Sequence, residues 1–582
     1  MQKHGRFLRL IPTLIALLLF SPGTTAAQGP FRLNHTVYLD RLQGMWLGAS
    51  IANWTGLNTE GSRTQPPYFT DADWDVTFAR WEPITFIFQP VWGSDDDTDI
   101  EYVYLHLMHE AASPYLTPTQ IAQGWQRHIN DFIWVSNQRA RELFDLGVMP
   151  PATGLVMVND HALMIDAQLT TEFFGALAPG LPVKALQLAD LPIQTTSAAY
   201  AAHAAQFFVL LYSLAPLVDT TLPQRDQMLW LVEHARGYLP DSSKSADIID
   251  FVLAEYLANP DPDAWETTRD RIHARYHGDA EANGFVYRDW FESSVNLATG
   301  VMAMLYGEGD YRRTIQIGTL SGWDSDNPTA TLGGLLGLLY GAEAIRAQFP
   351  EIDLSDRYNI YRTRENLPDY LPDDPEAEDT FSLMAERMLP LIDQIILDAG
   401  GELAPEQWVI KALPAPTLEA NPLWRLYQSS ANNRLSQPPD IVVGNVWTGG
   451  QPGWLVDGQE HDFSGKEVFE VQDYFMIDGD SDHQLVLTVT YSQPITAARI
   501  RLIEGGNDEP ETGLIEARLE AQIDGVWQAL PYTQSDALDT QRPFQIIDFT
   551  LDERLEINAI RLTGLTGAAN RVTLLELDVL SE

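Results

Sequence analysis

From about residue 40 to residue 350, apolar positions recur at helical spacing. Ile100, Val103, Leu107 and Ala111 fall on one face. The same periodicity predicts helices over 40–52, 117–146, 198–215, 224–236, 245–258, 284–306 and 328–347, with Pro and Gly between them. Residues 53–95 are rich in Gly, Pro, Trp and Asp and read as loop. "TRENLPDYLPDDPEAEDTF" reads as a charged surface loop. One more helix is expected near 379–398, and the proline-rich stretch that follows reads as a connector. From about residue 441 the period changes to two. "HQLVLTVTYS", "AARIRLIE", "FQIIDFTL", "INAIRLTGL" and "VTLLELDVL" read as alternating strands, with Asp524-Gly525 as a hairpin turn. The pattern predicts an all-α domain over 36–398, a linker over 399–440 and an all-β sandwich over 441–582.

Residues 1–27 form a separate unit. Lys3, Arg6 and Arg9 precede a short apolar run, and small residues follow through Ala26 and Ala27. This is the pattern of an export signal, so a secreted or periplasmic protein is expected, with a retained N-terminal anchor as the alternative. No later segment reads as a membrane span. The chain has no cysteine, so disulfides, thiolate zinc sites and cysteine nucleophiles are excluded.

Thirty-six basic residues stand against 81 acidic ones, a formal charge of −45. This argues against nucleic acid or anionic membrane as the main partner. Most of the acidity is a solvated surface, but oxygen-ligand metal sites would lie among the same residues.

Three stretches carry candidate chemistry. "GWDSDNPTATLGGLLGLLYG" (322–341) places Asp324 and Asp326 before a small, apolar helix, with Asn327 as the expected N-cap and Pro328 in the first turn. A helix N-terminus offers about half a positive charge, too little for two carboxylates, whereas a divalent cation would suffice. Helix capping alone is the competing account. In "GSDDDTDIEYVYLHLMHE", Asp95, Asp96, Asp97 and Asp99 crowd the start of a helix, more acids than capping needs. "DRLQGMWLGASIANWTGLNTEG" spaces Gly44, Gly48 and Ala52 four apart, a smooth helix face, and ends at Glu60.

In this order the three stretches resemble the ADP-ribosylglycohydrolase family, over roughly residues 38–350. The family's first motif is matched loosely by "GMWLGASIANWTGLNTE", its TDDT-type motif by "DDDTDI" and its last motif by "GWDSDNPTATLGG". The resemblance implies an orthogonal helical bundle with Mg²⁺ or Mn²⁺, two ions, held among helix ends. It places Asp96, Asp97, Asp324, Asp326 and Asn327 as metal ligands and Glu60 as the base or water-positioning residue. Asp97 is a further catalytic candidate. Asp95, Thr98, Gly322, Trp323 and Ser325 become candidates for substrate contact. The implied reaction cleaves an N- or O-glycosidic bond of ADP-ribose. Asp95 and Asn327 stand where the family has threonine, and Asn53 where it has aspartate. Another glycoside or nucleoside substrate, or a pocket that binds without turnover, therefore stays open.

The remaining signals are weaker. Asp71, Asp73, Asp75 and Glu82 have the spacing of some calcium loops, but Val76 stands where the turn glycine belongs, so a loop beside the cleft is the preferred reading. "DGDSDH" (478–483) reads as a turn. His106 and His109 read as surface or packing residues. Trp54, Trp74, Trp81 and Trp92 serve packing or stack on a ring of the substrate. The C-terminal domain resembles galactose-binding, discoidin-like sandwiches, which implies a glycan partner or a purely structural role.

Overall fold

The computed structural model describes residues 30–77, 83–93, 96–360, 363, 365–411, 415–458, 475–506 and 512–582. The export-signal segment, Asp95, Trp81 and Glu82 lie outside the described residues.

The helical body is built on one crossing. Helix His35–Gly56, capped by Asn34, runs against helix Asp326–Tyr340. The small faces of both make this possible. A β-carbon on Gly44 would lie 2.5 Å from the Gly337 carbonyl oxygen, and Gly48 meets Gly333 in the same way. The first helix is longer at both ends than the 40–52 expected. The 117–146 stretch divides into Pro118–His128 and Val135–Asp145. The 328–347 stretch breaks at Gly341, whose φ of 92° leads into Ala342–Ala347. The 284–306 stretch is helical only over Ser293–Gly307. Helices Pro182–Thr196, Trp265–His273 and Tyr311–Ser321 were not expected, and Pro192 inside the first of them disguises it.

Helix Asp96–Ala111 is pinned by buried polar ties. The Tyr102 hydroxyl donates to Asp379 at 2.7 Å, and the Tyr358 hydroxyl donates to Asp99 at 2.6 Å. Arg387 completes the first tie by donating to Asp379. The segment Ala199–Leu217 is long and apolar enough to cross a membrane, but 94% of it is buried inside the protein, as a core helix would be.

The stretch read as a connector is folded. Strand Gln407–Ile410 pairs antiparallel with Phe31–Asn34, placing Leu33 opposite Trp408. Trp408 and Ile410 are buried on one side of the strand, and the Trp408 indole donates to Asp393 at 2.6 Å. Pro422 sits in the first turn of helix Pro422–Ser429 after the cap Asn421, a position where its missing N–H is harmless. Pro422 thus marks a helix start within the stretch read as a connector.

The C-terminal domain is an antiparallel β-sandwich made from two bent strands. Gln484–Glu504 and Ile546–Thr566 each run 21 residues, where the alternation predicts two shorter strands apiece. Register shifts between Thr550 and Leu555 and between Ile557 and Ala559 mark the bend. Beyond it, the pair changes neighbours. The 484–490 part pairs with Asp440–Val443, and the 559–566 part with Leu514–Ile523. The 499–504 part pairs with Arg571–Leu580, and the 549–551 part with Tyr532–Gln534. Leu485, Leu487 and Val489 share one core with Ile500, Leu502, Leu577 and Val579. Asp524 and Gly525 both adopt positive φ, as the expected hairpin requires.

The two domains meet in an apolar seam. Ile503 and Leu575 of the sandwich join Leu143, Val148, Ala152 and Val156 of the helical body in one buried cluster.

Candidate active site

The site forms where the C-terminal end of helix His35–Gly56 meets the N-terminal end of helix Asp326–Tyr340. Gly56 lies so close that an added β-carbon would fall 2.6 Å from the Ser325 carbonyl oxygen. The Ser325 hydroxyl lies 2.8 Å from the Thr59 hydroxyl and donates to the Gly56 carbonyl at 3.1 Å. The Gly61 amide donates to the Trp323 carbonyl at 2.7 Å. These bonds tie the Glu60 turn to the 322–326 turn, where Gly322 and Trp323 both have positive φ.

The helix starts at Asp326 with Ser325 in the cap position, so Asn327 is not the N-cap. Its amide instead donates to the Asp324 carboxylate at 2.9 Å. Asn53 does the same for Asp326 at 3.4 Å.

Glu60, Asp324 and Asp326 each present a carboxylate oxygen, and these atoms lie within 4.8 Å of one another. Asp324 is held well above the ordinary carboxylate range, first by burial and then by the charge of Glu60. Carboxylates this close cannot all ionise without a compensating cation. The donors suit a hard divalent ion: besides the carboxylates, the carbonyl oxygens of Asn53 and Asn327 are buried without a hydrogen-bond partner.

A cavity of about 300 Å³ opens over this group. Glu60, Asp96, Asp166, Asp324 and Asn327 are its polar lining, and Trp134, Trp290 and Phe291 its aromatic lining. Asp96 stands at the start of helix Asp96–Ala111, with the Asn137 amide 3.5 Å away. Asp166 accepts from the Asn137 backbone at 2.8 Å, yet burial still pushes it up to about 6. Asn296 bridges the rim to the floor. Its amide donates to the carbonyls of Trp290 and Glu292 at 2.9 Å, and its oxygen accepts from the Asp324 backbone at 3.2 Å.

Asp97 lies in a second acidic layer rather than on the cavity wall. Its carboxylate accepts from the Thr98 amide at 2.6 Å. Glu172 accepts from the Thr331 hydroxyl at 2.8 Å and is pushed up to about 8, by burial first and by Asp97 among the charges. Glu101 accepts from the Phe173 amide at 3.0 Å.

The fold thus brings together Glu60, Asp96, Asp324, Asp326 and Asn327. Thr98, Gly322, Trp323 and Ser325 are not part of the cavity lining. Trp323 is fully buried, with its indole 3.4 Å from the His277 ring. Ser325 is used up in the tie to Thr59. Of the tryptophans expected near the cleft, Trp92 is core and Trp74 packs against Phe86, while Trp134 and Trp290 supply the aromatic wall. Asp71 is bonded by Arg313 at 2.6 and 2.9 Å, and Asp73 by Arg63 at 3.1 Å, so two of the acids in the calcium-like loop have protein cations. Asp166, Asn137 and Asn296 escaped the sequence reading. Asp166 alone gave a signal, as one acid in the apolar run "HALMIDAQL".

A family model described as ADP-ribosylglycohydrolase matches residues 34–376. The chain belongs to that family, and it is a glycosidic-bond hydrolase by class. No curated protein shows significant similarity to the chain. Solved structures similar to its C-terminal part include the family 32 CBM from C. perfringens NanJ in complex with galactose, at 14% identity over 24% of this chain and 92% of that one, with a TM-score of 0.19. A structure of the Streptococcus pneumoniae beta-galactosidase BgaA matches at 13% identity over 25% of this chain and 99% of that one, with a TM-score of 0.21.

Proposed function

We propose that the chain hydrolyses the glycosidic bond of an ADP-ribose conjugate, using Mg²⁺ or Mn²⁺ held by Asp96, Asp324, Asp326 and Asn327, with Glu60 beside the ion as base. The observation that carries this reading is the group Glu60–Asp324–Asp326, gathered within 4.8 Å at the floor of an aromatic-walled cavity. A divalent ion supplies Lewis-acid chemistry at such a centre, polarising sugar hydroxyls and acidifying water. The chain's own groups do the rest. Glu60 accepts the proton of the attacking water. Asn327 and Asn296 fix the rotamer and backbone of Asp324, so the carboxylate faces the reacting sugar without reorganising. Trp134, Trp290 and Phe291 shed water from the sugar face, which strengthens every charge interaction beneath them.

A second reading is hydrolysis of another glycoside or nucleoside. It rests on the cavity volume, which stands at the small end of ligand pockets and suits one sugar ring better than a whole dinucleotide-sized group. Export, expected from residues 1–27, would set the reaction outside the cytoplasm. Glycan docking by the β-sandwich belongs to the same proposal, and retention on immobilised galactosides tests it.

The deciding experiment measures metal content together with ADP-ribose release from ADP-ribosylated arginine and serine, with and without Mg²⁺ or Mn²⁺. Metal-dependent release that disappears in the Asp324→Ala/Asp326→Ala variant supports the first reading. Bound metal without release moves the search to other glycosides. Neither metal nor release overturns both.

A further inference from the structure

We propose that His106, Glu110 and His128 form a second cation site, for a zinc-class ion, that clamps helix Asp96–Ala111 to helix Pro118–His128. The site is independent of the acidic centre and shares no residue with it.

His106 and Glu110 are four apart, so they stand on one face of their helix. His128 ends the neighbouring helix and is fully buried. One donor atom from each lies within 4.8 Å of the other two, with His106 Nε2 3.7 Å from Glu110 Oε1. The two imidazoles meet edge to face, with centroids 4.9 Å apart. His106 Nε2 is buried without a hydrogen bond, and at His128 the Glu365 backbone takes the N–H side of the ring, which leaves the lone pair of its other buried nitrogen without a partner. A neutral imidazole carries one N–H and one lone pair, and a lone pair buried without a donor disfavours the folded state. A metal ion meets this need, because it takes the lone pair directly.

Two nitrogens and one carboxylate oxygen are a zinc-type donor set, unlike the all-oxygen set around Asp324. Zinc bonds of about 2.0–2.1 Å place donors roughly 3.4 Å apart in a tetrahedron, a modest closure from the present spacing. The Glu110 side chain is 40% exposed, so the site opens to solvent on that side, which gives an entry path and room for water as fourth ligand. Burial also keeps both imidazoles neutral, His128 at about 4 and His106 below its usual value, so neither needs to lose a proton before ligating. Arg127, at 3.1 Å from Glu110, is the competing cation. It is half exposed and can turn into solvent. His106 is ten positions beyond Asp96, roughly 15 Å along the helix at 1.5 Å per residue. The clamp would therefore steady the far end of the helix whose first turn carries Asp96.

The full chain is stripped with chelator and titrated with Zn²⁺ alone, and separately with Co²⁺ while its visible absorption is followed. Wild type, His106→Gln, Glu110→Gln and Asp324→Ala/Asp326→Ala are compared. The expected result is about one more tightly held equivalent in wild type than in Glu110→Gln, with affinity lowered at least tenfold by either single change. The intense Co²⁺ bands of nitrogen-ligated tetrahedral metal should persist in the double aspartate variant and vanish in His106→Gln. Glu110→Gln lies at a partly exposed position and keeps the test open if a histidine change harms folding. Equal zinc uptake in wild type and Glu110→Gln, or Co²⁺ bands indifferent to His106→Gln, overturns the proposal and leaves the two histidines as packing residues.

Discussion

Gly44 and Gly337 touch backbone to backbone, and the candidate active site hangs on that contact. A β-carbon on Gly44 would lie 2.5 Å from the Gly337 carbonyl and 2.6 Å from the Gly341 carbonyl carbon. Neither neighbour is a flexible side chain that could yield. Gly44→Ala must therefore part the helices, and overpacking of this kind costs roughly 1–3 kcal/mol. The same two helices carry Asn53 and Asp326, which share a hydrogen bond. The variant should lower Tm by several degrees and reduce kcat more than KM. Thermal melts and turnover of the same preparation check both.

Asp324 makes the opposite prediction. Burial and the Glu60 charge disfavour its ionised form, so the ion-free protein carries this carboxylate at a cost to stability. Asp324→Asn removes the repulsion. In chelator, the variant should melt at or above the wild-type temperature. With Mg²⁺ added, the wild type should gain stability by ligand linkage and the variant should not. Differential scanning fluorimetry in EDTA and in Mg²⁺ reads both arms, and a wild type that ignores Mg²⁺ would sink the metal assignment.

What the sequence revealed, and what it hid, follows from range. The glycine stripes at Gly44, Gly48, Gly333 and Gly337 are local patterns, and they do pack as small faces should. The acids at Glu60, Asp324 and Asp326 stood out because they sit at the ends of such elements. Asn296 and Trp290 did not, since their roles come from a partner in another turn and nothing in their own neighbourhood announces it. The capping role expected of Asn327 failed for the same reason: local rules favour Asn at a cap, but a carboxylate three residues earlier bonds its amide. His128 meets His106 only because two helices turn back on each other, a contact that the sequence spacing of His106 and His109 does not show. In the β-domain the alternation was legible but the bends were not, because period two continues through a bulge.

Trp290 should matter for binding more than for chemistry. It lines the cavity, and the amide of Asn296 fixes its carbonyl. An aromatic face on a sugar or base contributes about 0.5–1.5 kcal/mol, which corresponds to a roughly two- to twelvefold rise in KM on truncation. Trp290→Phe should retain most of the affinity and Trp290→Ala should not. A fall in kcat with unchanged KM would place the residue in the chemical step instead. Trp134, half exposed on the same wall, should give a smaller effect of the same sign.

Glu504 offers a pH test in the sandwich. Its side chain is 3% exposed and accepts the Leu514 amide at 3.0 Å, yet burial, with Asp539 adding to it, pushes the carboxyl from 4.5 up to about 7. The folded state thus binds this proton more tightly than the unfolded chain. Stability from the neutral acid is complete below about pH 4.5 and is lost progressively as pH rises through about 7. A shift of that size corresponds to roughly 3 kcal/mol as an upper bound. Glu504→Gln keeps an oxygen for the Leu514 amide and removes the ionisation. Its denaturation midpoint should match the wild type near pH 4 and exceed it at pH 8, with the gap opening between about pH 4.5 and 7. Because Ile503, the preceding residue, sits in the seam between the domains, the same change should also raise the resistance of the seam to proteolysis at pH 8. A variant less stable than wild type at pH 8 would mean that the ionised carboxylate is held by a favourable partner, and that the acid stabilises the strand end through its charge.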